Sequence, residues 1–181
     1  MTMNSLHYQF VPYQYGPFSV TLYHELEKLK EDGWISADKG RKIVLNTIYD
    51  DNIDFNVKSA IGYLWKKYGK MSSGQLLDYV NNRYPWYAQK SIRSQKTSVF
   101  RPQCKPAVYT AGYEGFQVDG FLNLLIKSGI ECVLDVRKNP ISRRYGFHKS
   151  TLSRLCQKLG LEYIHYSEFG IPSKWRVGLE V

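Results

Sequence analysis

The chain is poor in cysteine. Cys104, Cys132 and Cys156 are the only three in 181 residues, and no two form a CxxC pair. That argues against a disulfide framework and against a zinc site of standard spacing. Cys132 lies in an apolar run and Cys156 on an apolar helix face, so both read as buried thiols rather than nucleophiles. Also missing is any stretch near the roughly 20 uninterrupted apolar residues of a membrane helix, so no membrane partner is expected. Met1-Thr2-Met3-Asn4-Ser5 has neither the basic start nor the apolar core of a secretory signal, and a cytoplasmic location is expected. No internal repeat and no low-complexity tract occurs. His148 and His165 stand at metal-ligand spacing from no other His, Cys or carboxylate, so no metal is expected. No Ser-His-Asp or Cys-His arrangement can be argued, and the residues name neither a nucleophile nor a cofactor.

What the chain does have is 43% hydrophobic and 15% aromatic residues, enough for a core, and a formal net charge of +9. The charge is unevenly spread. Residues 1–60 carry eight acids against six bases, whereas residues 61–105 carry nine bases against a single acid, Asp78. From Val136 to Leu161 there is no acid at all, yet Arg137, Lys138, Arg143, Arg144, Lys149, Arg154 and Lys158 are present. Such asymmetry favours a polyanionic partner, nucleic acid first, over an ordinary solvated face.

Along the chain, Tyr15-Gly16-Pro17-Phe18-Ser19 predicts a turn into a helix with Ser19 as N-cap and an inward face of Leu22, Leu26 and Leu29, stopping at Gly33. Residues 34–36 and 41–45 around the turn 37–40 predict a β-hairpin. A helix followed at once by a short basic-tipped hairpin is the outline of a winged helix. A second amphipathic helix is expected over 55–68 after Asp54, with Val57, Ile61, Leu64, Trp65 and Tyr68. A shorter one follows Ser72 or Ser73 and ends before Pro85. Residues 1–90 thus read as a mainly helical, winged-helix-like domain and 91–106 as a basic linker. From 107 to 181 the pattern is strand (107–110), helix ending at Gly129, strand (130–136), helix capped by Ser150 and closed by Gly160, then strand (161–166). That order implies an α/β unit with a parallel sheet of right-handed crossovers.

In open α/β sheets the ligand crevice lies at the carboxyl ends of the strands. Those ends deliver Thr110, Gly112, Tyr113 and Glu114, then Asp135 and Arg137, then His165 and Glu168, which should converge as one lining. Gly112 and Gly115 would let backbone approach a phosphate. Asp135, amid Arg137, Arg143 and Arg144, would stay ionised and could act as a general base. A structural Asp–Arg pair that fixes the long loop is the equal alternative. Arg137, Lys138, Arg143, Arg144 and His148 can meet phosphate oxygens, and Tyr145 and Phe147 offer stacking surfaces.

Tyr109-Thr-Ala-Gly-Tyr-Glu-Gly115, Phe121-Leu122, Gly129-Ile130, Asp135-Val-Arg137, Pro140-Ile-Ser-Arg143, Phe147, Leu152, Leu159-Gly160, Tyr163, His165 and Glu168-Phe-Gly170 together resemble the domain of unknown function (DUF) 488 family over about residues 107–176. The resemblance implies a Rossmann-like α/β fold of bacterial and archaeal type, linked to nucleic-acid base processing near mobile or defence genes. The family pattern continues into a Cys-His-Arg element that does not occur before Val181, so the sheet is expected to be incomplete. Residues 10–90 resemble the helical module of SocA-like (Panacea) antitoxin-type proteins through Tyr15-Gly-Pro17, Ser73-Gly-Gln-Leu-Leu77 and Tyr84-Pro-Trp86, which implies contact with nucleic acid or a protein partner. Three functions follow as expectations: a base-processing or base-modifying enzyme with Asp135 in its site, a non-catalytic DNA-binding regulator, and a protein-interaction adaptor of antitoxin type. Oligomeric state is not legible.

Overall fold

The computed structural model describes residues 8–37, 42–46, 53–92, 102–172 and 175. It opens on a hairpin that sequence reading took only for a turn: β1 (Val11–Tyr13) pairs antiparallel with β2 (Gly16–Phe18), Val11 opposite Phe18. Ser19 then caps α1 (Val20–Glu31), its hydroxyl accepting from the Leu22 amide at 3.3 Å. The expected apolar face is only partly seated. Val20 is buried, Leu22 and Leu26 are half-buried and Leu29 is exposed.

The firmer anchor of α1 is polar and comes from the other end of the chain. Asp119 is fully buried; its Oδ1 accepts from the Val20 amide at 2.6 Å, and its Oδ2 from the Thr21 amide at 3.0 Å and the Thr21 hydroxyl at 2.7 Å. The first amides of a helix have no partner within it, and a carboxylate there satisfies them while its charge opposes the positive end of the helix dipole.

β3 (Ile35–Ala37) and β4 (Ile43–Leu45) pair antiparallel as expected, Ile35 opposite Leu45, while the hairpin tip with Lys39 and Gly40 lies outside the described residues. Asp54 caps α2 (Phe55–Tyr68) by accepting from the Asn56 amide at 2.8 Å. The helix has the predicted length, but none of its residues is buried, and Trp65 is 74% exposed. Ser72 and Gln75 form a reciprocal capping box at the start of α3 (Ser73–Arg83), which ends before Pro85. Pro85 opens the single turn α4 (Pro85–Ala88), from which the Trp86 indole donates to Asn123 at 3.0 Å.

The C-terminal part carries most of the core. On α5 (Val118–Lys127), Val118, Phe121, Leu122, Leu125 and Ile126 repeat at helical spacing and are buried. On α6 (Lys149–Lys158), Leu152, Leu155 and Cys156 do the same. They form one cluster with Phe147, Leu159 and Leu161, joined by Val11 and Val20 from the N-terminal part. Burying each large side chain stabilises the fold by about 1.5–3 kcal/mol.

α6 links β5 (Cys132–Asp135) to β6 (Glu162–His165), which pair in parallel with Cys132 opposite Glu162 and Asp135 opposite His165. This sheet has two strands. The strand expected at 107–110 is not formed: Val108 is 97% exposed and the segment pairs with no strand among the described residues. β-prone side chains cannot hold an extended segment whose backbone groups have no ladder to join, and Pro106 just before it carries no amide hydrogen. The helix expected to be capped by Ser150 starts two residues earlier, with His148 at the cap. Val133 and Tyr163 pack on the core, while Cys132, Leu134, Glu162 and Ile164 on the opposite face are exposed. Of the two thiols read as buried, Cys156 is and Cys132 is not: with no element behind that face among the described residues, strand alternation turns Cys132 to solvent.

Candidate functional site

β5 and β6 end side by side, and their register alone brings together residues 28 or more positions apart. Asp135 closes β5 and His165 closes β6 as its neighbour, with Tyr163 one alternation back on the same face. The Asp135 carboxylate is buried and every lone pair is used. Its Oδ1 accepts from the Arg137 amide at 3.1 Å and Arg137 Nε at 2.8 Å; its Oδ2 accepts from Arg137 Nη2 at 2.5 Å and the Tyr163 hydroxyl at 2.5 Å. Burial alone would raise the carboxyl's pKa, but the hydrogen bonds from Arg137 and Tyr163 and the guanidinium charge win and hold it at about 2. The same bonds push Arg137 upward from its ordinary value, and burial together with Asp135 pushes the Tyr163 phenol upward. A carboxylate with four donors and so low a pKa is a weak proton acceptor. Its geometry suits holding Arg137.

Arg137 passes that order on to the loop between β5 and α6. Its Nη1 donates to the Phe147 carbonyl at 2.9 Å, and its guanidinium carbon stands 5.4 Å from the centre of the Tyr113 ring. Tyr113 in turn stacks on Phe147 at 4.4 Å, with Phe121 edge-on to Phe147 at 5.6 Å. Phe147 is therefore wholly inside, with no face for a ligand. Further closure comes from the Lys149 amide donating to the Pro140 carbonyl at 3.0 Å. Gly146 sits at φ +86° against Val118, where an added Cβ would lie 2.5 Å from the valine Cβ. The loop is pinned from within, so its outer side chains have a fixed platform.

Those outer side chains are Lys138, Arg143, Arg144, Tyr145 and His148, all exposed. Arg144 Nη1 donates to the Tyr113 carbonyl at 3.2 Å; His148 Nδ1 lies 3.1 Å from the Ser150 hydroxyl. Tyr145 stacks face to face on His24 of α1, centroids 3.7 Å apart and planes 5° off parallel. His165 Nε2 lies 2.9 Å from the Arg137 carbonyl, which can only accept, so this nitrogen carries the hydrogen and Nδ1 accepts from Lys149 Nζ at 2.8 Å.

Of the segment expected to join from 110–114, Tyr113 reaches this cluster, while Thr110, Gly112 and Glu114 are exposed. Glu168 is exposed on the turn Ser167–Phe169, which lies against the β5 exit: a Cβ on Gly170 would come within 2.2 Å of the Lys138 nitrogen. Sequence reasoning overlooked Tyr163, Lys149 and His24 as parts of this region. Tyr163 could have been found from strand alternation with His165, whereas nothing in the sequence points from His24 to Tyr145.

Among the described residues no group of three or more His, Cys, Asp or Glu could hold a metal ion, and no helix is long and apolar enough to cross a membrane. Residues 117–180 match the family model described as Domain of unknown function DUF488, so the C-terminal region of the chain is similar to that family. No curated protein and no solved structure matches the chain, and the SocA-like resemblance of residues 10–90 stands without support from either.

Proposed function

We propose that the C-terminal part binds a nucleic-acid strand along its phosphate backbone, with Arg143, Arg144, Lys138 and His148 of the β5–α6 loop as contacts and Tyr145 as a stacking surface. The observation that carries this reading is the combination of an exposed basic loop that carries no acid of its own with an internal Asp135–Arg137–Phe147 brace that holds it in place. A pre-ordered loop loses little backbone freedom on binding, and neutralised phosphates release counterions. In this reading Asp135 and Arg137 are positioning residues. The base-processing alternative needs a proton acceptor at the strand tips, and a carboxylate at about pKa 2 with four hydrogen bonds is a poor one. The β5–β6 pair is read as part of a Rossmann-like domain, and α1 with β3–β4 as a winged-helix-like module for a second contact with nucleic acid or a protein.

The test is fluorescence anisotropy of labelled single-stranded and duplex oligomers across a salt series. Binding should weaken on a log–log slope of several units. Arg143→Ala should lower a single-strand slope by about 0.7, the contribution of one phosphate. No binding at low salt, or binding that ignores Arg143 and Lys138, would refute the reading.

A further inference from the structure

A cleft of about 250 Å³ separates α1 from the β5–α6 loop, lined by Thr21, His24, Lys28, Gln117, Arg144 and Tyr145. It is smaller than the roughly 300–1,000 Å³ of sites that enclose a drug-sized ligand, so it suits a single polar group. Its walls come from opposite ends of the chain and are held together by two contacts already described: the Asp119 cap on α1 and the His24–Tyr145 stack. Lys28 from the helix and Arg144 from the loop both reach it. Arg144 spends one amino group on the Tyr113 carbonyl, which leaves the rest of its planar fork available. Lys28 meets no acid among the described residues. Arg154 lies near Tyr145 and adds to the positive field. Opposing charge comes from Glu25, also in the wall, whose carboxylate accepts a hydrogen bond from the Tyr8 hydroxyl, and from Asp119, near Tyr145 but buried and bonded to the first amides of α1. Three cations therefore stand against two carboxylates, both already hydrogen-bonded.

We propose that this cleft is a phosphate subsite shared by Lys28 and Arg144, so that the N-terminal helix completes the surface offered by the C-terminal loop. The proposal deepens the nucleic-acid reading and rests on it where the phosphate belongs to a strand; a free nucleoside monophosphate offers the same oxyanion. Lys28 adds charge from one side as a flexible ammonium, and Arg144 supplies a directional fork from the other. The stacked His24–Tyr145 pair forms a flat wall along which the ligand's phosphate enters.

The full chain is tested in two arms, with Lys28→Ala against Lys30→Ala. Lys30 removes the same charge from the same helix but lies outside the cleft, where it pairs with Glu27 at 2.6 Å. Alanine keeps the helix, and circular dichroism confirms it. In the first arm, single-stranded oligomer binding is followed by anisotropy in a salt series. Lys28→Ala should weaken it several-fold and lower the slope by about 0.7, with Lys30→Ala unchanged. In the second arm, inorganic phosphate and a nucleoside monophosphate are titrated while the His24 ring protons are followed by NMR, assigned with His24→Gln. A saturable shift lost in Lys28→Ala identifies a small-phosphate site even if no oligomer binds, in which case the loop reading alone fails. If the oligomer binds through Arg143 but neither arm singles out Lys28, the cleft proposal is overturned and the loop reading stands.

Discussion

Replacing Asp135 by Asn removes one charge from a buried pair and keeps the shape, which makes it the sharpest test of the positioning role. Two independent routes set the size of the effect. A carboxyl held at about 2 against an ordinary 3.8 is worth about 2 kcal/mol of folding stability at neutral pH. Breaking a buried ion pair costs about 3–5 kcal/mol, at the lower end where the remaining charge keeps other partners. Arg137 does keep them: its side chain is 20% exposed and retains the Phe147 carbonyl. Both routes converge on about 2–3 kcal/mol. With an m-value near 2 kcal/mol/M, the urea midpoint of Asp135→Asn should fall by about 1 M with m unchanged. The pH dependence follows from the sign of the shift. The folded-state pKa is depressed, so the stabilisation is fully present above about pH 4 and is lost as pH falls through about 2. The gap between parent and variant should therefore close between pH 4 and 2. A midpoint that does not move, or a gap undiminished at pH 2, would refute the account of Asp135 as the brace. Loss of activity at unchanged stability would return it to a chemical role.

Asp119→Ala strips the partners from two amides and two hydroxyls at the start of α1 and should destabilise by about 2–4 kcal/mol, read as a lower thermal midpoint, with α1 exchanging amide hydrogens sooner than α5. Gly146→Ala forces a side chain into a positive-φ position against Val118. It should cost about 2 kcal/mol or more and weaken oligomer binding by loosening the loop, measured by chemical denaturation and anisotropy together. Cys156 is fully buried, and burial raises its pKa to about 12, so it should stay unlabelled by a thiol reagent in the native protein and react on unfolding. Cys132 is exposed but raised, by burial of its sulfur first and by Glu162 next, so its labelling should be slow at neutral pH and accelerate as pH rises; Glu162→Gln should speed it.

Local structure was legible wherever it depended on neighbours in sequence. The Ser19, Asp54 and Ser72 caps, the stop before Pro85, and the helices over 55–68 and 118–127 follow from side chains bonding amides two or three residues away and from apolar spacing. The strands 132–135 and 162–165 were also visible, and their crossover made a parallel pair the natural expectation. The strand at 107–110 was misread because β propensity reports a side chain's fitness for a sheet and cannot say whether a neighbouring strand exists to receive it.

The sequence by itself determined the longer helices, the Ser19, Asp54 and Ser72 caps and the acid-free basic run from Val136 to Leu161, because composition and short-range spacing are properties of the chain alone. Tertiary structure decided what those residues are for. It turned Phe147 inward onto Tyr113, closed Asp135 with Tyr163, seated Asp119 on the end of α1 and brought His24 against Tyr145. Each of those pairings spans tens of residues, and each depends on which faces meet when the core closes. Contacts of that kind have no periodic signature in the chain, so only the folded structure could reveal them.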